Sequence, residues 1–68
     1  MAEKEKVEKL INKEGLIAYL KELISQVEQG YVMVGEKRVD LPESFELEIK
    51  YKEKENKKEI EWEIEWKF

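Results

Sequence analysis

Two stretches of alternating residues decide how this chain folds: FELEIKYK at residues 45–52 and EIEWEIEWKF at residues 59–68. In each stretch every second residue is apolar, and the residues between them are glutamate or lysine. A period of two is typical of a strand with one buried face and one face in water. We therefore predict antiparallel strands over about 45–53 and 58–67, joined by the polar residues 54–58 and sharing one apolar face.

Only every second register keeps the apolar residues of both strands on one face, and charge pairing chooses among those registers. A turn centred on Glu55 and Asn56 gives two Glu–Glu pairs and one Lys–Lys pair. A turn centred on Asn56 and Lys57 leaves one like-charge pair and gives the pairs Lys54–Glu59, Lys52–Glu61, Lys50–Glu63 and Glu46–Lys67. Opposite charges stabilise cross-strand pairs, and asparagine tolerates the positive φ of a tight turn. We therefore predict the second register, with the apolar pairs Tyr51–Trp62, Ile49–Ile64, Leu47–Trp66 and Phe45–Phe68.

An amphipathic helix is predicted over about 13–29, where apolar residues recur at helical spacing. Asn12 suits the N-cap, because its side chain can accept from unpaired amides of the first turn. Gly30 suits the position after the helix, where positive φ is common. The apolar residues before Asn12 fall on the opposite side of the helical wheel, so the helix does not extend through them. Residues 4–11 are then a short helix or an edge strand, and their charge density favours the edge strand, with partial disorder of 1–11 as a further option.

Short strands are predicted at 31–34 and 38–41, on either side of a turn that contains Gly35. Pro42 cannot donate to a strand ladder, so a connection follows these strands. The sequence therefore predicts one α+β domain spanning residues 1–68. In it, the helix packs on the apolar face of a four-stranded antiparallel meander, and the charged face meets water.

Composition argues against several functions. The 68-residue chain has neither cysteine nor histidine, which excludes disulfides and disfavours a zinc site. A net charge of −4 disfavours nonspecific binding to nucleic acid or anionic lipid. Neither Ser25 nor Ser44 has a candidate base beside it, and the glycines form no phosphate-binding loop, so we predict no enzyme and no cofactor.

We predict a cytoplasmic location with no membrane contact, since no apolar run could cross a bilayer and the start resembles no signal peptide. The dominance of glutamate and lysine is typical of hyperthermophilic proteins.

The chain resembles the amphi-Trp domain, a small prokaryotic domain named for its amphipathic, tryptophan-containing C-terminal strand. The resemblance covers about residues 12–68. It rests on the leucine-rich helix before Gly30, the Leu41–Pro42 step and the EIEWEIEW stretch at 59–66. It implies this order of helix and strands, and it implies no activity and no functional residues.

The sequence favours a non-catalytic protein-interaction domain that pairs with itself through the edge of strand 58–67. The alternating aromatic residues are predicted to form the core face, in preference to a platform for nucleobases. The glutamate stripe is predicted to be a solvated face, in preference to a calcium site. The alternative function is nucleic-acid association through the hairpin at 31–41. For either partner, the candidate contact residues are Tyr31, Met33, Lys37 and Arg38.

Overall fold

The computed structural model describes residues 3–68 and contains one helix followed by two antiparallel hairpins. The helix α1 spans Lys13–Glu28. The strands are β1 at Tyr31–Val34, β2 at Lys37–Asp40, β3 at Glu46–Lys54 and β4 at Lys57–Glu65. This is the predicted α+β class with the predicted order of elements, and the helix and strand bounds agree to within two residues. Met1 and Ala2, which belong to the predicted segment 1–11, lie outside the described residues.

Both ends of α1 follow from local chemistry. The side chain of Asn12 is the N-cap, and its Oδ1 accepts a hydrogen bond of 2.8 Å from the Gly15 amide. After the helix, Gly30 adopts φ +92°, a conformation that costs glycine little, and its amide donates to the Val27 carbonyl at 2.9 Å. The predicted cap and the predicted glycine are thus both confirmed.

A side-chain hydrogen bond connects the short hairpin β1–β2 to the helix. Its strands pair from Tyr31↔Asp40 to Val34↔Lys37, around a two-residue turn that begins with Gly35 at φ +59°. The outward-facing amide of Met33 donates to Oε1 of Gln26 on α1 at 3.0 Å. This bond satisfies a donor on the outer edge of β1, which would otherwise invite pairing with another strand.

The long hairpin β3–β4 adopts the register that charge pairing disfavours, so the predicted register is wrong. The turn is Glu55–Asn56, and the like-charge pairs are Glu46↔Glu65, Glu48↔Glu63 and Lys54↔Lys57. The predicted register would place Glu53 opposite Ile60 on the apolar face. The observed register instead gives Glu53↔Lys58, Tyr51↔Ile60, Ile49↔Trp62 and Leu47↔Ile64. Exposed ion pairs contribute only about 0–1 kcal/mol, too little to outweigh the cost of placing Glu53 opposite Ile60.

The turn of the long hairpin also forms without the conformation expected of Asn56. Positive φ within residues 3–68 occurs only at Gly30 and Gly35. Asn56 therefore keeps an ordinary backbone conformation, and its tolerance of positive φ plays no part in choosing the register.

The four strands form two separate sheets, β1–β2 and β3–β4, so the single four-stranded meander predicted from the sequence is wrong. Residues 41–45 separate β2 from β3, and Pro42 in this connection has no amide hydrogen for a ladder. The Leu41 amide instead donates to the Gly30 carbonyl at 2.9 Å, which closes the short hairpin against the end of the helix.

Residues 3–11 contain neither helix nor strand, so the edge strand expected over residues 4–11 is wrong for this segment. Two side-chain contacts link it to the rest of the chain: Lys37 Nζ lies 2.9 Å from Glu3 Oε1, and Lys9 Nζ lies 5.1 Å above the Tyr19 ring. Exposed contacts of this kind contribute only about 0–1 kcal/mol each, too little to impose a regular backbone on the segment.

No residue among 3–68 is buried, so the predicted closed core under the helix is wrong. The strand β1 is half-buried throughout, and so are Leu20 and Leu23 of α1. Of the predicted core aromatics, Trp66 is half-buried, whereas Phe45, Tyr51, Trp62 and Phe68 are exposed. The reason is geometric, since a single 16-residue helix covers only part of the apolar surface of two separate two-stranded sheets.

Candidate interaction surface

The main candidate site is an open groove between α1 and the apolar face of the long hairpin. Its volume is ≈ 470 Å³. Its walls are almost wholly aliphatic or aromatic, and the lining residues are Tyr19, Leu23, Val27, Val32, Leu41, Phe45, Leu47, Ile49, Trp62 and Ile64. We call this surface the apolar groove. Such a surface can bury another apolar surface, and it offers few polar groups to orient a small polar ligand.

The walls of the apolar groove come mainly from regular elements, with Leu41 and Phe45 added by the connection between β2 and β3. On α1, Tyr19, Leu23 and Val27 follow one another at a spacing of four residues and therefore share one side of the helix. On β3, Leu47 and Ile49 lie two residues apart and point to the same face. Exposure increases towards the tip of the hairpin, where Ile60 is 70% exposed. The groove is thus an apolar surface left open between the helix and the long hairpin.

The sequence predicted the strand residues of this groove as core, and it missed the helix residue Tyr19 as a wall of an open site. The spacing of Tyr19 and Leu23 carries the signal, because residues four apart lie on one helix face. That spacing cannot show whether the face is covered, since a covered face and an open face have the same pattern.

The opposite face of the long hairpin is a grid of charged side chains. Lys50 Nζ lies 3.3 Å from Glu48 Oε1 on the same strand, and Glu61 lies across from it on β4. The hydrogen bond and the charge of Glu48 raise the pKa of Lys50, and Glu63 and Glu61 contribute further. The shift favours the charged form, so this lysine remains a cation and is not poised for proton transfer at neutral pH.

A second ion pair lies beside the turn. Lys57 Nζ is 2.7 Å from Glu59 Oε1, and this hydrogen bond raises the pKa of Lys57 and lowers the pKa of Glu59. On the apolar face, the hydrogen bond that the Tyr51 hydroxyl donates to Glu53 raises the pKa of Tyr51. All of these shifts keep the groups in the protonation states that they ordinarily have at neutral pH.

The four predicted contact residues do not form one site. Pairing in the short hairpin places Tyr31, Met33 and Arg38 on one face and Lys37 on the other. The guanidinium of Arg38 lies 4.1 Å from the centre of the Tyr31 ring, and its Nε lies 3.0 Å from Asp40 Oδ1. Lys37 is paired with Glu3.

These contacts bear on the nucleic-acid alternative. Phosphate binding requires basic side chains directed at the backbone of the nucleic acid. Both basic side chains of the short hairpin already have an acidic neighbour, and they point from opposite faces. The geometry of the short hairpin therefore favours a structural role for its charges.

Residues 3–68 contain neither a cluster of metal-binding side chains nor a membrane-spanning helix. No group of three or more acidic, histidine or cysteine side chains there is arranged to hold a metal ion. No helix in this part of the chain is long and apolar enough to cross a membrane.

Comparison with known proteins finds no protein-family model, curated protein or solved structure that matches the chain. The resemblance to the amphi-Trp domain therefore stays a prediction from the sequence pattern. The surface of the molecule is then the basis for its proposed function.

Proposed function

We propose that this chain is a non-catalytic protein-interaction domain that associates with itself. One observation carries the proposal: the apolar groove is open, and no residue among 3–68 is buried. Soluble proteins rarely leave a large contiguous apolar surface facing water, and surfaces of this kind usually mark protein interfaces.

Stability supports the same conclusion. An isolated two-stranded hairpin is marginal in water, and independent stability usually requires a third strand or a helix packed on an apolar face. Here each sheet has two strands, and the helix leaves the long hairpin exposed. Complete burial of a large apolar side chain contributes about 1.5–3 kcal/mol, so covering side chains that are about 60% exposed would add about 1–2 kcal/mol each. A partner that covers several of them would supply much of the missing core.

A second copy of the chain is the simplest partner, because it is present wherever the first copy is. The known alternatives to partner binding in small domains are disulfides and metals. The sequence has no cysteine, so a disulfide is impossible, and it has no histidine, which makes a structural metal site less favourable. A cytoplasmic location and a further protein partner stay predictions from the sequence.

Sedimentation equilibrium from low to high micromolar concentration tests this function. We expect the mean mass to rise from 8.2 kDa towards twice that value as concentration increases. Unfolding temperature should rise with concentration as well, because a partner that binds only the folded state stabilises it by mass action. A folded monomer throughout this range would refute self-association. Salt-dependent binding to single-stranded DNA in a parallel titration would instead support the nucleic-acid alternative.

A further inference from the structure

The outer edge of β3 is open to another strand. Within residues 3–68, β3 pairs only with β4, and the two-stranded sheet has no further neighbour. A β-turn is commonly closed by a hydrogen bond between its first and last residues, so Lys54 and Lys57 form a hydrogen-bonded pair next to the turn. Such pairs alternate along antiparallel strands. The backbone groups of Leu47, Ile49 and Tyr51 therefore point away from β4, towards the open edge.

The charges along β3 are segregated. Its solvent face reads Glu46, Glu48, Lys50, Lys52 and Lys54, so the first part is acidic and the second part is basic. If a second copy of β3 lies antiparallel to the first, the acidic part of each faces the basic part of the other. Opposite charges across strands stabilise the pair. This edge is therefore complementary to itself.

One register makes full use of this complementarity. With the twofold axis at Ile49, Glu48 faces Lys50 of the second copy and Glu46 faces Lys52 of the second copy, each pair occurring twice. Moving the axis to Glu48 or to Lys50 sets that residue against its own copy, as a like-charge pair. The Ile49 register also keeps the outward backbone groups paired, since Ile49 then exchanges hydrogen bonds with its own copy.

The apolar face supports the same register. It sets Ile49 against Ile49 of the second copy, and Leu47 against Tyr51 of the second copy. The side chains of Ile49, Leu47 and Tyr51 are 63%, 59% and 62% exposed in the single chain, so new neighbours would cover surface that faces water. The result is a four-stranded sheet in the order β4–β3–β3–β4, in which the apolar side chains of each β3 gain neighbours across the new strand pair. Four strands exceed the minimum for an independently stable sheet.

The edge of β4, which the sequence suggested for pairing, is self-repelling. Its solvent face carries Lys57 followed by Glu59, Glu61, Glu63 and Glu65. Any extensive antiparallel pairing of this strand with its own copy sets glutamate against glutamate, and like charges opposite each other destabilise a sheet.

We propose that two copies of the chain associate edge to edge through β3, with the twofold axis at Ile49. This inference rests on the proposed self-association and adds which edge is used and in which register. It makes the partner a second copy of this chain, recognised by the segregated charges of Glu46–Lys54.

Charge reversal at one cross-strand pair provides a matched test. Glu48→Lys and Glu63→Lys both remove the Glu48↔Glu63 repulsion within the hairpin and change the net charge equally, and Glu48→Lys also breaks the ion pair of Glu48 with Lys50 on the same strand. Only Glu48→Lys creates repulsion in the interface, where the introduced lysine would face Lys50 of the second copy at two places. We expect Glu48→Lys to weaken the dimer about tenfold or more at low salt, and Glu63→Lys to leave it near wild type. The double variant E48K/K50E should restore the dimer, because the interface charges are exchanged. Equal effects of the two single variants would overturn the β3 interface.

Cross-linking tests the position of the axis. The sequence has no cysteine, so one introduced thiol can bridge only to the same residue of another copy. Cα atoms of a hydrogen-bonded pair lie about 5.5 Å apart, within the range of a disulfide. Under mild oxidation, we expect Ile49→Cys to run as a disulfide-linked dimer on a non-reducing gel and Ile60→Cys on β4 to run as a monomer. A concentration-dependent dimer with the opposite pattern would overturn the β3 assignment and leave self-association intact. A monomer at every concentration would overturn both.

Discussion

Replacing Trp62 by alanine tests how open the apolar groove is. Trp62 is 60% exposed, so about two-fifths of a side-chain surface of about 250 Å² is covered, or about 100 Å². At about 25 cal/mol per Å², this area corresponds to about 2.5 kcal/mol. Residual compactness of the unfolded chain lowers the figure by up to about 40%. We therefore expect Trp62→Ala to lower the free energy of unfolding by about 1.5–2.5 kcal/mol.

Urea unfolding followed by circular dichroism measures this loss, at one fixed protein concentration for all variants. Ile60→Ala is the matched control, because Ile60 is an apolar residue of the same strand face and is 70% exposed. Its loss should be about 0.5–1 kcal/mol. A loss of about 4–5 kcal/mol for Trp62→Ala would equal that of a fully buried tryptophan and would refute the open groove. A loss no greater than that of Ile60→Ala would refute the contact between Trp62 and the groove.

Three further outcomes follow from local geometry. Asn12→Ala should cost about 1 kcal/mol of stability in urea unfolding, and Asn12→Ser should recover most of it, because serine also caps helices. Gly35→Ala should cost about 1–2 kcal/mol in the same assay, because φ +59° strains any residue with a Cβ, and Gly35→Asn should cost less. The hydrogen bond and charge of Lys57 lower the pKa of Glu59, so this pairing stabilises the fold above the ordinary pKa of a glutamate and is lost as the pH falls through the lowered, folded pKa. An NMR titration of the Glu59 carboxyl should show its pKa rising towards the ordinary glutamate value in Lys57→Met, and an unchanged pKa would contradict the ion pair.

Local sequence signals predicted the elements well. The helix was predictable because Asn12 and Gly30 act within one turn of its ends. The long strands were predictable because their alternation repeats over nine residues each. The register of the long hairpin was not, because charge pairing favours one register and an apolar partner for Ile60 favours the other. In water the charge pairs contribute too little to decide it.

The candidate surface was predictable only in part. The alternation identified Leu47, Ile49 and Trp62 as one apolar face, and the structure places all three on the wall of the groove. The contact residues chosen in the short hairpin were selected by type, and strand pairing divides them between two faces. Side-chain type says nothing about which face a residue shares with its neighbours across a turn.

Sequence alone was enough to identify the helical and extended segments and the residues that share an apolar face. These properties depend on interactions between residues within a few positions of one another, such as caps, turns and periodicity. The three-dimensional arrangement was needed to learn that the strands divide into two sheets and that the apolar face stays open. The first depends on whether the connection between β2 and β3 lets these two strands pair. The second depends on how much of the apolar face one helix can cover. The sequence specifies an apolar face, and how much of that face the helix covers determines whether it becomes a core or an interface.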